Sequence, residues 1–175
     1  MKTLTLLRHA KSSWKRPDLG DFERPLNGRG RTDAPNMGRR LARRGLQPTR
    51  IVSSPALRAR ATAEAVADAL AYPHARILWE PRIYEAGVQT LLTILRGQAD
   101  EDAHLLIVGH NPGLTMLANA LTGDRLDNLP TAGAYTLTLP IEQWRATDWG
   151  IGTRTLLMVP KDPAEAETAT SPVTG

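Results

Sequence analysis

Residues 105–114, LLIVGHNPGL, decide the fold. They open as a short apolar run without polar alternation, the pattern of a strand buried on both faces of a sheet. They close as a helix start, because asparagine is a favoured N-cap and proline is favoured at the first helical position, where its missing N–H costs nothing. Apolar residues over 114–121 then recur at helical spacing. One strand, one polar tip and one helix follow each other with no room for a long connection.

The same alternation extends in both directions. Residues 3–7, 51–53 and 76–79 read as further short buried strands, and residues 30–44, 57–70 and 88–95 as helices between them. In the first helix Ala34, Met37, Gly38 and Leu41 form one stripe, with Arg39, Arg40 and Arg43 expected on the opposite, solvated face. Residues 134–139 and 155–159 read as two more strands that close one edge of the sheet antiparallel. The expectation is one α/β domain over residues 1–160, a three-layer α/β/α arrangement with a mostly parallel central sheet and an antiparallel edge. After Pro160 almost nothing apolar remains, so residues 161–175 are expected to be a disordered tail.

Composition narrows the function. The chain has 175 residues, 41% hydrophobic and 23% charged, as a single globular domain has. No apolar run approaches the ~20 residues that a membrane span needs. The first strand leads straight into Arg8 and His9 without the apolar stretch of a secretory signal, so the expected location is the cytoplasm. Cysteine is absent, which removes thiolate metal sites and every cysteine nucleophile. The net charge of +4 conceals an asymmetry: residues 1–60 carry 15 Lys+Arg against 4 Asp+Glu, and the remainder carries 7 against 14. Nucleic acid, an anionic small substrate, an acidic protein or a solvated arginine face could each account for that.

In an open parallel sheet the ligand site lies beyond the carboxyl ends of the strands. Here the first strand ends in Arg8-His9, the second in Ser53-Ser54-Pro55 followed by Arg58, and the fourth in Gly109-His110-Asn111-Pro112. Two arginines and two histidines thus converge on one end of the sheet, beside helix starts whose free N–H groups favour an anion. No P-loop, DxD or HExxH pattern occurs, and the four histidines lack metal-ligand spacing, so neither a metal nor a cofactor is expected. Without a cysteine or a G-x-S-x-G elbow, the nucleophile best placed for a phosphoryl group is a histidine flanked by arginines.

LLRHAKSSW, DFERPLNGRGRTDA, SSPALRARATAEAV, IYEAG and VGHNPGL follow one another over residues 3–160 in an order that resembles the histidine phosphatase superfamily, specifically its SixA-type phosphohistidine phosphatase branch. The resemblance implies a histidine phosphatase-like fold. It implies His9 as the nucleophile that carries the phosphoryl group, with its second ring nitrogen donating to a backbone carbonyl. Arg8 and Arg58 match the family's phosphate-pocket arginines and His110 its second histidine. Glu85 stands where the family places a general acid, and Ser12 and Ser13 where relatives place auxiliary phosphate donors. Ala10 departs from the family's Arg-His-Gly signature, which matters only if that backbone needs φ > 0.

The expected partner is a phosphorylated protein carrying phosphohistidine, and the alternative is a small phosphomonoester. A reading from another class is nucleic-acid binding through Arg29, Arg31, Arg39, Arg40, Arg43 and Arg44. That helix has no base-reading or aromatic motif, and arginine outnumbers lysine 18 to 4 throughout, so a solvated face is the simpler account.

Overall fold

The computed structural model describes residues 1–160; the tail expectation for 161–175 lies outside the described residues. Six strands form one sheet in the order β3-β2-β4-β1-β5-β6. The strands are β1 (Lys2–Arg8), β2 (Arg50–Ser53), β3 (Leu78–Trp79), β4 (His104–Gly109), β5 (Ala134–Leu139) and β6 (Thr153–Met158). The first four run parallel, β5 pairs antiparallel with both β1 and β6, and only β5 is reversed. Four α-helices connect or flank them: α1 (Gly28–Arg43), α2 (Leu57–Ala69), α3 (Val88–Arg96) and α4 (Gly113–Thr122).

Strand side chains alternate between two helical layers, which explains why the strands lack polar alternation in sequence. Leu4, Leu6, Leu105 and Ile107 meet Leu91, Ile94, Leu95, Leu114, Leu117 and Leu121 of α3 and α4. Leu7, Ile51, Leu106 and Val108 point the other way, against Met37, Leu41, Ala59, Ala63 and Val66 of α1 and α2. Thr5 is the polar exception in the centre, and its hydroxyl is satisfied by Thr136 Oγ1 at 2.8 Å and His104 Nε2 at 2.9 Å. Among the described residues no helix is long and apolar enough to cross a membrane.

Three local expectations are corrected. Residues 74–76 form a 3₁₀ turn, so the third strand shrinks to two residues. Arg40 is buried and not solvated: it flanks the inward stripe of α1, and its Nη1 donates to Val159 O at 2.9 Å. The two proline signals mark helix starts in the right places but act before the first turn. Ser54 Oγ accepts from Ala56 N at 3.2 Å, and Asn111 Oδ1 accepts from Thr115 N at 3.3 Å, so α2 and α4 begin at Leu57 and Gly113.

Candidate active site

The strand order makes β1 and β4 central neighbours, with Arg8 opposite Gly109. His9 and His110 therefore leave the sheet side by side, their rings 5.2 Å apart between centroids. Ser54 follows β2 on the other side of β4 and takes its backbone N–H to Val108 O at 3.0 Å. Arg58 then reaches back from the first turn of α2. Arg8, His9, Ser12, Arg58 and His110 line one cleft of about 310 Å³, together with Trp14 and Arg24.

His9 is buried, and two contacts fix its tautomer. Its Nδ1 lies 2.7 Å from Ala10 O, a carbonyl that can only accept, so Nδ1 carries the proton. Arg58 Nε donates to His9 Nε2 over 3.4 Å, so Nε2 presents its lone pair. Burial, together with the positive charges of Arg58, Arg8 and Arg24, lowers the imidazole pKa to about 4 despite the opposing bond to Ala10. At neutral pH the ring is an uncharged base with a lone pair in the cleft. Ala10 is not among the residues with positive φ, so alanine replaces the signature glycine without strain; its N–H donates to Thr62 Oγ1 at 2.9 Å.

His110 Nε2 lies 2.8 Å from Ser54 Oγ, and its Nδ1 has no partner. Burial and the neighbouring His9 and Arg58 lower its pKa to about 3. Arg8 Nη1 donates to Leu129 O at 3.0 Å, while its Nε is buried without a partner. An unpaired buried donor costs about 1–3 kcal/mol, and an anion in the cleft would relieve such a cost.

Asp21, from the 3₁₀ turn Asp21–Glu23, organises the remaining cations. Its Oδ2 accepts from Arg58 Nη2 at 3.0 Å and from the Tyr84 hydroxyl at 2.6 Å, and its carbonyl accepts from Arg58 Nη1 at 2.6 Å. Its Oδ1 accepts from Arg24 Nε at 3.2 Å, and Arg24 Nη1 donates to Ser12 Oγ at 2.7 Å. The Tyr84 bond, with Arg58 and Arg24, holds the Asp21 carboxyl down to about 2, while Asp21 pushes the Tyr84 phenol up to about 12. The Tyr84 ring in turn meets the His110 ring edge-on at 5.5 Å.

Two expected site residues stand apart. Glu85 is exposed, lies at φ 60°, and is not among the residues lining the cleft. Ser13 turns its Oγ to the N–H of Lys15 at 3.1 Å and does not line the cleft either. Conversely, Asp21, Arg24, Tyr84 and Ser54 join the network without having been singled out for chemistry in the sequence. The only signal for the first two was the DFERP stretch as a whole. No group of three or more potential metal-binding side chains occurs among the described residues.

Comparison with known proteins identifies the family. The sequence profile of the histidine phosphatase superfamily (branch 1) matches residues 4–91. An uncharacterized protein of Picosynechococcus sp. is 35% identical over 138 residues, covering 77% of this chain and 83% of the relative. A candidate phosphohistidine phosphatase SixA from Agrobacterium tumefaciens superposes with a TM-score of 0.77 at 29% identity, covering 91% of this chain and 98% of the other. The protein histidine phosphatase SixA solved with tungstate gives 0.77 at 25%, covering 90% and 97%. The chain belongs to branch 1 of the histidine phosphatase superfamily and is a phosphatase of the SixA type.

Proposed function

We propose that this phosphatase removes the phosphoryl group from phosphohistidine in a protein, with His9 as nucleophile. The carrying observation is that the cleft lining combines two uncharged imidazoles with arginines and contains no carboxyl group. The nearest carboxyl tied into the network, Asp21, is held ionised by Tyr84 and two arginines, so it has no proton to give. An alkoxide is a poor leaving group and needs a proton in the transition state. Histidine is a different case: its imidazole has an ordinary pKa of about 6.5, and a phosphorylated ring protonated on its far nitrogen departs as a neutral molecule. A site without a poised acid therefore suits the N–P bond better than the O–P bond.

In the proposed sequence His9 Nε2 attacks phosphorus in line, forming one N–P bond as the substrate's N–P bond breaks. Arg8, Arg58 and His110 face the phosphoryl oxygens, where the charge resides. Ser12, tied to Arg24, is placed to add a hydroxyl contact. Water then hydrolyses the phosphorylated His9 to phosphate and restores the free imidazole. The guanidinium groups supply the positive charge that a metal would supply elsewhere, so no metal enters the proposal.

The test is a substrate panel with EDTA present, comparing a phosphohistidine peptide with simple phosphomonoesters, together with an acid quench during turnover. Preferred hydrolysis of phosphohistidine, label on His9 that is labile to acid and stable to base, and loss of turnover in His9→Ala are expected. Label on serine or aspartate, turnover only of phosphomonoesters, or activity that EDTA abolishes and a divalent ion restores would overturn the proposal.

A further inference from the structure

Trp14 stands at the cleft with 77% of its surface exposed, the largest exposure among the big apolar side chains of the described residues. A lone exposed tryptophan is unremarkable in itself. This one is mounted. The Arg24 guanidinium lies 3.5 Å from the centroid of the indole and covers one of its faces. Arg24 is itself buried, and it is tied to Ser12 Oγ at 2.7 Å and to Asp21 Oδ1 at 3.1 Å. The backbone beneath is pinned as well, by the Ser12–Leu26 bridge and by Ser13 N donating to Pro25 O at 2.8 Å. The indole has a fixed base and an open remainder, and both it and the nucleophile His9 line the same cleft.

We propose that Trp14 is a specificity-determining residue, whose open face stacks on a flat ring in the leaving group of the substrate. The proposal rests on the phosphatase reading above and narrows its substrate class to phosphoryl groups carried on a planar ring. A cleft of about 310 Å³ holds a phosphoryl group and one small ring, not a large ligand. Mounting the indole on Arg24 removes much of the ordering cost that a free side chain would incur on binding. The departing ring then lies against an apolar surface while the phosphoryl oxygens face the cations.

Two pairs of small substrates test this, with no protein surface involved. Phosphohistidine and phosphoramidate both break an N–P bond, but only the first carries a ring; phenyl phosphate and ethyl phosphate make the same contrast for O–P. Aromatic pairing contributes a factor of about two to ten. The ratio of kcat/KM for the ring-bearing over the ringless member should fall by about that factor in Trp14→Ala and be retained in Trp14→Phe, with unfolding midpoints unchanged. A ratio unchanged in Trp14→Ala overturns the proposal, as does a ratio that Phe fails to retain. If wild type turns over neither N–P compound, the phosphohistidine reading fails, and the phenyl/ethyl ratio still decides the role of Trp14.

Discussion

Gly30→Ala should disable the site from a helix that contains none of its cleft-lining side chains. An alanine Cβ at position 30 would stand 2.1 Å from Lys11 O and 3.0 Å from Lys11 N. An ordinary carbon–oxygen contact is about 3.3 Å, so helix and loop must separate by about 1 Å. The start of α1 is clamped there: Asn27 N donates to Lys11 O at 2.9 Å, and Asn27 Oδ1 accepts from Gly30 N at 2.8 Å. Lys11 follows Ala10, whose carbonyl holds His9 Nδ1, so the strain falls on the peptide that orients His9, the proposed nucleophile. Overpacking costs about 1–3 kcal/mol, and alanine in place of helical glycine restores about 1 kcal/mol. The net loss of about 0–2 kcal/mol lowers Tm by at most about 8 °C in a chain of this size. Activity is the more sensitive reading, because a misplacement of about 1 Å can cost about 10²-fold. Steady-state kinetics on phosphohistidine should show kcat/KM down by about that factor. Gly28→Ala is the control: its Cβ would meet only the Arg31 side chain, at 3.7 Å, and it should match wild type. Wild-type kcat/KM in Gly30→Ala would refute the reasoning.

Acid should weaken the fold through its buried histidines. His9, His104 and His110 have pKa values lowered to about 4, 4 and 3, against about 6.5 in the unfolded chain. Between those limits the unfolded state binds more protons, so stability falls as pH drops from about 6.5 towards 4; a urea midpoint that holds or rises from pH 7 to pH 5 would contradict this. With the substrate's own titration divided out, kcat/KM should stay flat down to about pH 5, and a decline centred near 6.5 would mean that His9 is not shifted. Asp21→Asn should lower kcat/KM by about tenfold or more, because Arg58 loses the carboxylate that aims it; unaltered kinetics would show that the Asp21 carbonyl suffices. Glu85→Gln should leave phosphohistidine turnover within about twofold, as exposed substitutions do, and a 10²-fold loss would show that Glu85 acts on the substrate.

The layered architecture was legible because it rests on local signals. Apolar runs such as 105–108 have no partner for their side chains except on both sides of a sheet, and turn residues punctuate them. Arg8, His9, Arg58 and His110 were legible as a group for a related reason: each ends or follows a strand or opens the next helix, so the topology alone collects them. What escaped depends on contacts distant in sequence. Arg40 is buried because Val159 supplies a carbonyl 119 residues away, a fact that the helical pattern around it cannot carry. Asp21 looks like one acid in a polar loop until Tyr84, 63 residues on, and Arg58 are folded onto it. Glu85 is the reverse case: a motif match fixes a position along the chain, whereas the lining of the cleft, which does not include Glu85, is set by the fold around it.

The pairing of β1 with β4 acts as a gauge. Hydrogen-bonded strands lie about 4.8 Å apart, and the two imidazoles that leave them sit 5.2 Å apart. Backbone hydrogen bonds, which are indifferent to side-chain identity, thus set the spacing of His9 and His110. Changes within the helical layers, away from the close contact of Gly30 with Lys11, can raise or lower the durability of the fold while the gauge stays constant. Most of the surface, and the interior away from that contact, can change without retuning the distance on which the proposed chemistry depends.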